Sequence, residues 1–255
     1  MDLITTLKKF RSIEADVDAN QARWYIVAVA AMAAASAGPD VPKLYALATE
    51  CLPIDEKKLV QRRLKEAILK TSCLYGVPRS LQALLPLFAT IPDDEIDHYG
   101  PRYGLATSTE AQKAREEKGT TYFNTLWGEE AARFHRERNF KYQPDLCQYF
   151  STPSRSSTDS VGDLLNLEMI YQWYFSEDTI LGPVETQMCN AAALTCSKCP
   201  VQAMWHTRGI IRHSGTIDEA RFAQEIALAV AQIYGCKIDD ITPVDKIDVA
   251  SKSAE

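Results

Sequence analysis

The amino-acid sequence predicts an all-α protein made of two related helical units packed together. Runs of alternating Val, Ile, Thr and aromatic residues between turn residues, the pattern of strands, are scarce. Apolar residues instead recur at helical spacing along most of the chain. The most apolar stretch, residues 24–38, is rich in Ala and shorter than the roughly 20 residues that a bilayer span needs. We therefore expect it to be a buried core helix.

The first half of the chain contains four predicted helices, over residues 18–37, 43–51, 57–74 and 80–88. Pro42 suits the first turn of the second helix, and Gly76 and Pro78 end the third. Within the third helix, one stripe carries Glu66, Lys70 and Cys73. A Glu–Lys pair four residues apart is typical of a solvated surface, and a second site on this stripe is the alternative.

The second half begins with a break at residues 92–108, which contain several Pro, Gly, Ser and Thr residues. Helices are predicted over residues 109–118, 122–139, 164–174, 183–195, 200–212 and 218–234. Residues 151–160, rich in Ser and Thr, are the clearest linker. Thr216 and Glu219 have the spacing of a capping box and mark the start of the last helix.

An internal repeat supports the two-unit prediction. An Asp-Glu start, an apolar helix and a closing Tyr-Gly occur at residues 55–76 and again at residues 218–235, each after an Ala-rich helix. Chance similarity between amphipathic helices is the alternative. The predicted division is an N-terminal helical unit (1–91), connecting helices and a linker (92–160), and a C-terminal helical unit (161–255).

Composition and charge limit which partners and which cell compartment are expected. A net charge of −6 gives no general attraction for nucleic-acid phosphates or anionic lipid, so neither is an expected partner. The seven cysteines are an odd number in a chain without an evident secretory signal, which favours free thiols in a reducing compartment. The final Ser-Ala-Glu does not match a peroxisomal targeting tripeptide. These features predict a cytoplasmic protein, with another intracellular compartment as the alternative.

The densest group of reactive side chains is Cys196-Ser-Lys-Cys199 followed by His206. A helix that starts after Cys199 would favour the thiolate at its N-terminus. Gln202 and His206 are four residues apart, and Cys199 and His206 are seven apart, so the three are predicted to share one helical face. Glu185, one helix earlier, is the candidate carboxylate partner. Such a set could move protons beside a carbonyl, with His206 titrating near its working pH.

Other interpretations of these residues remain open at this stage. Both cysteines could be small apolar fillers of a core, and His206 could be a core or helix-end hydrogen-bonding group. A Cys-Cys-His-His zinc site that includes His213 is disfavoured, because two histidines seven residues apart on one helix meet a single ion poorly. No metal site is predicted. The crowded aromatic run with Tyr171 and Trp173 is either core packing or the wall of a substrate pocket.

The C-terminal half resembles a known superfamily of small helical proteins. The resemblance is carried by Cys189-Asn-Ala-Ala-Ala-Leu-Thr195, His206-Thr-Arg208-Gly209 and Asp218-Glu219, which are similar to the decarboxylase branch of the carboxymuconolactone decarboxylase and alkylhydroperoxidase superfamily. From Trp24 to Pro78 the chain resembles the two-unit fungal members. The resemblance covers most of residues 20–236, and it implies an alkylhydroperoxidase-like fold and a homo-oligomer.

The chain departs from both branches of that superfamily. In the peroxidase branch a His lies four residues after the second Cys of Cys-x-x-Cys. Here Gln202 occupies the place of that second thiol, and Cys196 and Cys199 lie three residues too early. The decarboxylase branch often has an Arg in the helix before Asn190, where this chain has Thr186.

The leading functional prediction is therefore a carboxymuconolactone decarboxylase-like enzyme without a cofactor. It would decarboxylate, isomerise or cyclise a small carbonyl or lactone compound by acid–base chemistry. The residues predicted to form its site are His206, Cys199, Glu185 and Cys196 for catalysis, and Gln202, Arg208, Trp173 and Tyr171 for substrate binding. The alternatives are a thiol-dependent alkylhydroperoxidase that uses Cys196 and Cys199, and a non-catalytic binding or assembly protein.

Overall fold

The prediction of an all-α protein is confirmed. The computed structural model describes residues 2–104, 108–143 and 164–249, and this part of the chain contains helices and no strand. The α-helices are α1 (Leu3–Ile13), α2 (Trp24–Ala34), α3 (Val41–Ala48), α4 (Ile54–Tyr75), α5 (Val77–Phe88), α6 (Thr109–Trp127), α7 (Glu129–Tyr142), α8 (Pro183–Cys196), α9 (Pro200–Arg212) and α10 (Ile217–Ile233). A π-helix spans Leu164–Phe175.

Several helix boundaries differ from the predicted ones for local reasons. The first core helix begins at Trp24 rather than at residue 18, because the preceding residues form a turn in which Gln21 and Ala22 donate to the carbonyl of Asp18. The predicted helix over residues 122–139 is divided at Gly128, whose φ of 80° is a left-handed conformation that suits glycine. The predicted linker at residues 151–160 lies outside the described residues.

Contacts divide the chain into two compact units. Unit 1 contains residues 1–101 and 179–247, and unit 2 contains residues 102–178 and 248–255. Both halves of the predicted repeat therefore contribute to unit 1, and the division differs from the predicted boundaries at 91 and 160. That the two halves are copies of one motif stays a prediction.

Unit 1 is built around two Ala-rich helices, α2 and α8. Every residue of α2 is buried, and α8 is buried from Thr186 to Cys196. Helices α4 and α10 each pack against both, and α9 packs against α8. Small side chains allow this close approach. In the turn that follows α2, a Cβ on Gly38 would lie 2.1 Å from the carbonyl oxygen of Gln82 in α5, so only glycine fits there.

Unit 2 has its own aromatic core, made by α6 and the π-helix. Phe123 lies edge-on to Tyr171 at 4.8 Å between ring centroids, and Tyr171 contacts Phe175 at 5.1 Å. Among the described residues, none of the helices combines the length and the apolar character that crossing a membrane requires.

Candidate functional site

His206 lies in the core of unit 1 and not at an open site. It is 6% exposed, and its Nδ1 is 2.8 Å from Oε1 of Gln187 on α8. Burial, together with the nearby His213, lowers the pKa of His206 to about 4. The imidazole is therefore neutral at pH 7, and the expectation that it titrates near its working pH is wrong.

The predicted shared face of Cys199, Gln202 and His206 is not formed. Gln202 is exposed to solvent in the first turn of α9, whereas His206 points into the core. Cys199 is partly exposed and lies just before α9, with its Sγ 3.6 Å from the carbonyl oxygen of Ser197. Helical spacing placed these residues near one another along α9, but α8 covers only the part of that face that carries His206.

Cys196 and Cys199 also do not act as one pair at a helix start. Cys196 is the last residue of α8, and the chain then reverses at Lys198, whose φ is 60°. The buried thiol of Cys196 donates to the carbonyl oxygen of Ala227 on α10 at 3.5 Å.

Glu185 forms an ion pair with Arg63 and not with His206. The Arg63 guanidinium is 5% exposed and donates to Oε1 of Glu185. The other carboxylate oxygen of Glu185 accepts the backbone N–H of Gly182 at 3.0 Å, which caps α8. The carboxylate is therefore committed to structural contacts.

The three remaining predicted residues are separated between the units. Tyr171 and Trp173 belong to unit 2, where Tyr171 is core and Trp173 lies under the Arg115 guanidinium at 4.2 Å from the ring centroid. Arg208 belongs to unit 1 and is 5% exposed. Its Nε has no hydrogen-bond partner among the described residues. In the same part of the chain, no group of three or more His, Cys, Asp or Glu side chains could hold a metal ion.

Several polar side chains on α4 and α8 are buried or nearly so. We call this group the α4–α8 polar cluster, and its members are Arg63, Glu66, Lys70, Glu185, Thr186 and Asn190. Lys70 is 0% exposed, and its Nζ donates to Thr186 Oγ1 at 2.8 Å and to the carbonyl oxygen of Leu181 at 3.0 Å. A Glu66 oxygen lies 4.0 Å from the same Nζ. The Glu66–Lys70 pair, expected on the surface, is therefore buried.

Arg63 anchors one end of this cluster. Its guanidinium donates to the carbonyl oxygen of Ala22 at 2.7 Å and to the Tyr25 hydroxyl at 2.6 Å, both near the start of α2. Burial raises the pKa of Tyr25 to about 12, so the phenol stays protonated and donates to the carbonyl oxygen of Ala19. Three segments of unit 1 are held together through this one cation.

Asn190 is the member that the fold leaves unsatisfied. Its side chain is 0% exposed, and neither Nδ2 nor Oδ1 has a hydrogen-bond partner among the described residues. Asn190 follows Thr186 by four residues, so the amide lies one helical turn along α8 from the hydroxyl that Lys70 contacts. A buried amide without partners typically costs about 1–3 kcal/mol, so its presence calls for a reason other than stability.

Groups of these types can carry out acid–base chemistry in a desolvated environment. The Lys70 ammonium can stabilise a developing negative charge, the Glu66 carboxylate can accept a proton, and the Asn190 amide can bind a carbonyl oxygen. Sequence reasoning placed Glu66 and Lys70 on one stripe but could not tell that α8 covers it. The sequence pointed to Asn190 only as part of the run that resembles the decarboxylase branch.

Two curated proteins are similar to this chain over most of its length. One, from Schizosaccharomyces pombe, is named Peroxisomal protein 2 and is 26% identical over 213 residues, which cover 83% of this chain and 86% of the relative. The other carries the same name in Saccharomyces cerevisiae and is 22% identical, with coverage of 83% and 88%. No family model and no solved structure matches the chain. The names of these relatives contradict the predicted cytoplasmic location.

Proposed function

We propose that this chain is a peroxisomal enzyme that transfers protons on a small carbonyl or lactone compound without a bound cofactor. The names of the two relatives support the compartment. The resemblance to carboxymuconolactone decarboxylases supports the reaction class. The α4–α8 polar cluster supports the place of the chemistry. We assign the reaction to Lys70, Glu66 and Asn190 rather than to His206.

The observation that carries this proposal is the unsatisfied Asn190 amide, one helical turn along α8 from the Thr186 hydroxyl that binds a fully buried lysine. Burying an ion pair costs desolvation free energy unless the geometry of the pair is good. Apolar residues of similar volume can often replace such a pair with little loss of stability. Here the core of unit 1 keeps the Glu66–Lys70 pair and an amide without partners. A carbonyl compound that accepts a hydrogen bond from the Asn190 Nδ2 would satisfy that group.

In the proposed reaction, Glu66 removes a proton from the carbon next to the carbonyl group. The electron pair moves onto the carbonyl oxygen, where the Lys70 ammonium and the Asn190 amide stabilise the enolate. Return of the proton to another position isomerises the compound, and loss of carbon dioxide gives the same enolate. Thr186 holds Lys70 through its Oγ1, and this hydroxyl donates onward to the carbonyl oxygen of Gly182 at 2.9 Å.

Proton exchange in deuterated buffer tests this function directly. The full chain is incubated with carboxymuconolactone and a panel of small 3-oxo acids, and deuterium incorporation is followed by NMR. Lys70→Met and Asn190→Leu are each expected to lower the exchange rate about 100-fold, the usual effect of removing one group that stabilises an oxyanion. Lys113→Met is the matched control, since Lys113 pairs with Glu117 at the same i, i+4 spacing but is 73% exposed.

If the folded variants exchange deuterium at the wild-type rate, the α4–α8 polar cluster is not the site of the reaction. Absence of exchange in the wild-type chain with every compound would favour the non-catalytic alternative.

The proposed compartment has a separate test. Fluorescent fusions at either end of the chain are expected to co-localise with a peroxisomal marker in yeast. Diffuse cytoplasmic fluorescence of both fusions would overturn it.

The homo-oligomer that the resemblance implies stays a prediction. Helix α5 exposes four apolar side chains at helical spacing, Val77, Leu81, Leu85 and Phe88. Sedimentation of the purified chain measures its oligomeric state.

A further inference from the structure

Arg208 on α9 is a buried cation for which the described residues supply no anion. It is 5% exposed, and its Nε is enclosed without a hydrogen-bond partner among the described residues. None of the described carboxylates forms an ion pair with it. Arg63 is buried to the same degree but pairs with Glu185. A charge that is taken out of water without a partner strongly destabilises a fold, so Arg208 calls for an anion that these residues do not provide.

Arg208 lies on the side of α9 that faces away from His206. It follows His206 by two residues, so the two side chains leave the helix about 200° apart. His206 points into the core of unit 1 and contacts Gln187 on α8. Arg208 is therefore separate from the core face of α9 and from the α4–α8 polar cluster.

The helices around Arg208 hold their acidic groups elsewhere. Helix α9 contains no Asp or Glu between Pro200 and Arg212. Glu185 is the one carboxylate of α8, and it pairs with Arg63. On α10, which also packs against α9, Glu219 pairs with Arg23. The nearest elements of unit 1 thus spend these carboxylates on other cations.

A second guanidinium lies one helical turn further along α9. Arg212 follows Arg208 by four residues, so the two side chains are neighbours on one face of the helix. Burial, together with the charge of Arg208, lowers the pKa of Arg212. Like charges at this spacing destabilise a helix, and an anion between them would reverse that effect.

We infer that Arg208 and Arg212 form a binding site for a small molecule that carries a phosphate or a carboxylate group. A guanidinium presents its N–H donors in a planar fork that matches the oxygen atoms of both groups. Two forks one turn apart suit a doubly charged ligand, whose binding would offset the burial of Arg208 and its repulsion from Arg212. The inference is independent of the proposed proton transfer.

Isothermal titration calorimetry of the full chain tests the inference with inorganic phosphate and with succinate. Chloride keeps the ionic strength constant in every titration, so that general screening of surface charges does not register as binding. We expect saturable binding of at least one probe, and the tighter probe identifies the group that the site prefers. Absence of saturable binding with both probes would overturn the inference.

Variants locate the bound anion. Arg208→Met and Arg212→Gln are each expected to weaken binding of the preferred probe by about 10- to 100-fold, the usual effect of losing hydrogen bonds from a charged group. Arg221→Gln on α10 is the control, since Arg221 is 44% exposed and already pairs with Asp218, and it should bind as the wild type does. Equal affinities in Arg208→Met and the wild type would place the anion elsewhere.

Thermal unfolding gives a second measurement that does not depend on the choice of probe. Without added anion, Arg208→Met should have a higher melting temperature than the wild type, because it removes a buried charge that has no partner. The preferred probe should then raise the melting temperature of the wild type and not that of Arg208→Met. A lower melting temperature of Arg208→Met without added anion would show that the folded chain itself supplies the counter-ion, which contradicts a ligand site.

Discussion

At the scale of single residues, two histidines make stability depend on pH, His206 in α9 and His213 at the C-terminal cap of that helix. Burial lowers the pKa of both His206 and His213 from 6.5 to about 4. Below pH 6.5 the unfolded chain therefore takes up protons that the folded chain does not. The stability that neutral His206 contributes is present above pH 6.5 and is lost as the pH falls toward 4. At pH 5 the loss is about 2 kcal/mol for each histidine.

Replacing His206 by Gln should remove its part of this pH dependence. Gln cannot titrate and can still hydrogen-bond Gln187. Between pH 7.5 and pH 5, urea unfolding should show a decrease in stability that is about 2 kcal/mol smaller in His206→Gln than in the wild type. The exposed His98→Gln is the control and should follow the wild type. Equal decreases in His206→Gln and the wild type would show that His206 is not buried in its neutral form.

Asn190 allows a test of whether the α4–α8 polar cluster exists for function. Leu has a similar volume and needs no hydrogen bond, so Asn190→Leu should raise the free energy of unfolding by about 1–3 kcal/mol while proton exchange falls about 100-fold. Chemical denaturation and the exchange assay measure the two effects on one sample. A variant that is destabilised would mean that the Asn190 amide is satisfied within the folded chain.

At the scale of helices, the contact between α4 and α8 depends on the Arg63–Glu185 pair. Glu185→Gln removes the negative charge beside a guanidinium that is 5% exposed, and we expect a loss of about 3 kcal/mol in the free energy of unfolding. Glu137→Gln on α7 is the matched control, since its Arg133 partner is 70% exposed and the expected change is below about 0.5 kcal/mol. Similar small losses in both variants would show that water screens the Arg63–Glu185 pair.

Helices were predictable from the sequence because their signals are local. The capping box of Thr216 and Glu219 starts α10 as expected, and Gly76 ends α4. The candidate site was less predictable, because helical spacing shows which residues share a face and not what covers it. Lys70 has the sequence context of a surface lysine, and only the packing of α8 on α4 buries it. Likewise, spacing in the sequence paired Cys196 with Cys199 at a helix start, but it could not show that Cys196 is buried at the end of α8 whereas Cys199 is partly exposed after the turn at Lys198.

At the scale of the whole molecule, unit 1 is assembled from two distant stretches of sequence. The hydrophobic core that the described residues form around α2 and α8 draws its buried members from residues 3–91 and 181–244. The sequence predicted boundaries at residues 91 and 160. Composition marks the breaks between helices, but it does not show which distant segments of the chain pack together. None of the described residues within 102–178 is a member of that core, so we expect it to fold without this segment.

Replacing residues 102–178 by a flexible Gly/Ser linker of about 20 residues tests this conclusion. Such a linker spans about 25 Å on average, and the entropy of closing a loop changes by only about 0.6 kcal/mol for each twofold change in its length. The shortened chain should therefore unfold cooperatively, and buried Trp24 should keep its near-UV circular dichroism signal. A control deletion of residues 54–88, which removes α4 and α5, should abolish both properties, since α4 packs against α2 and α8. A shortened chain that melts without cooperativity would show that unit 1 needs the inserted segment to fold.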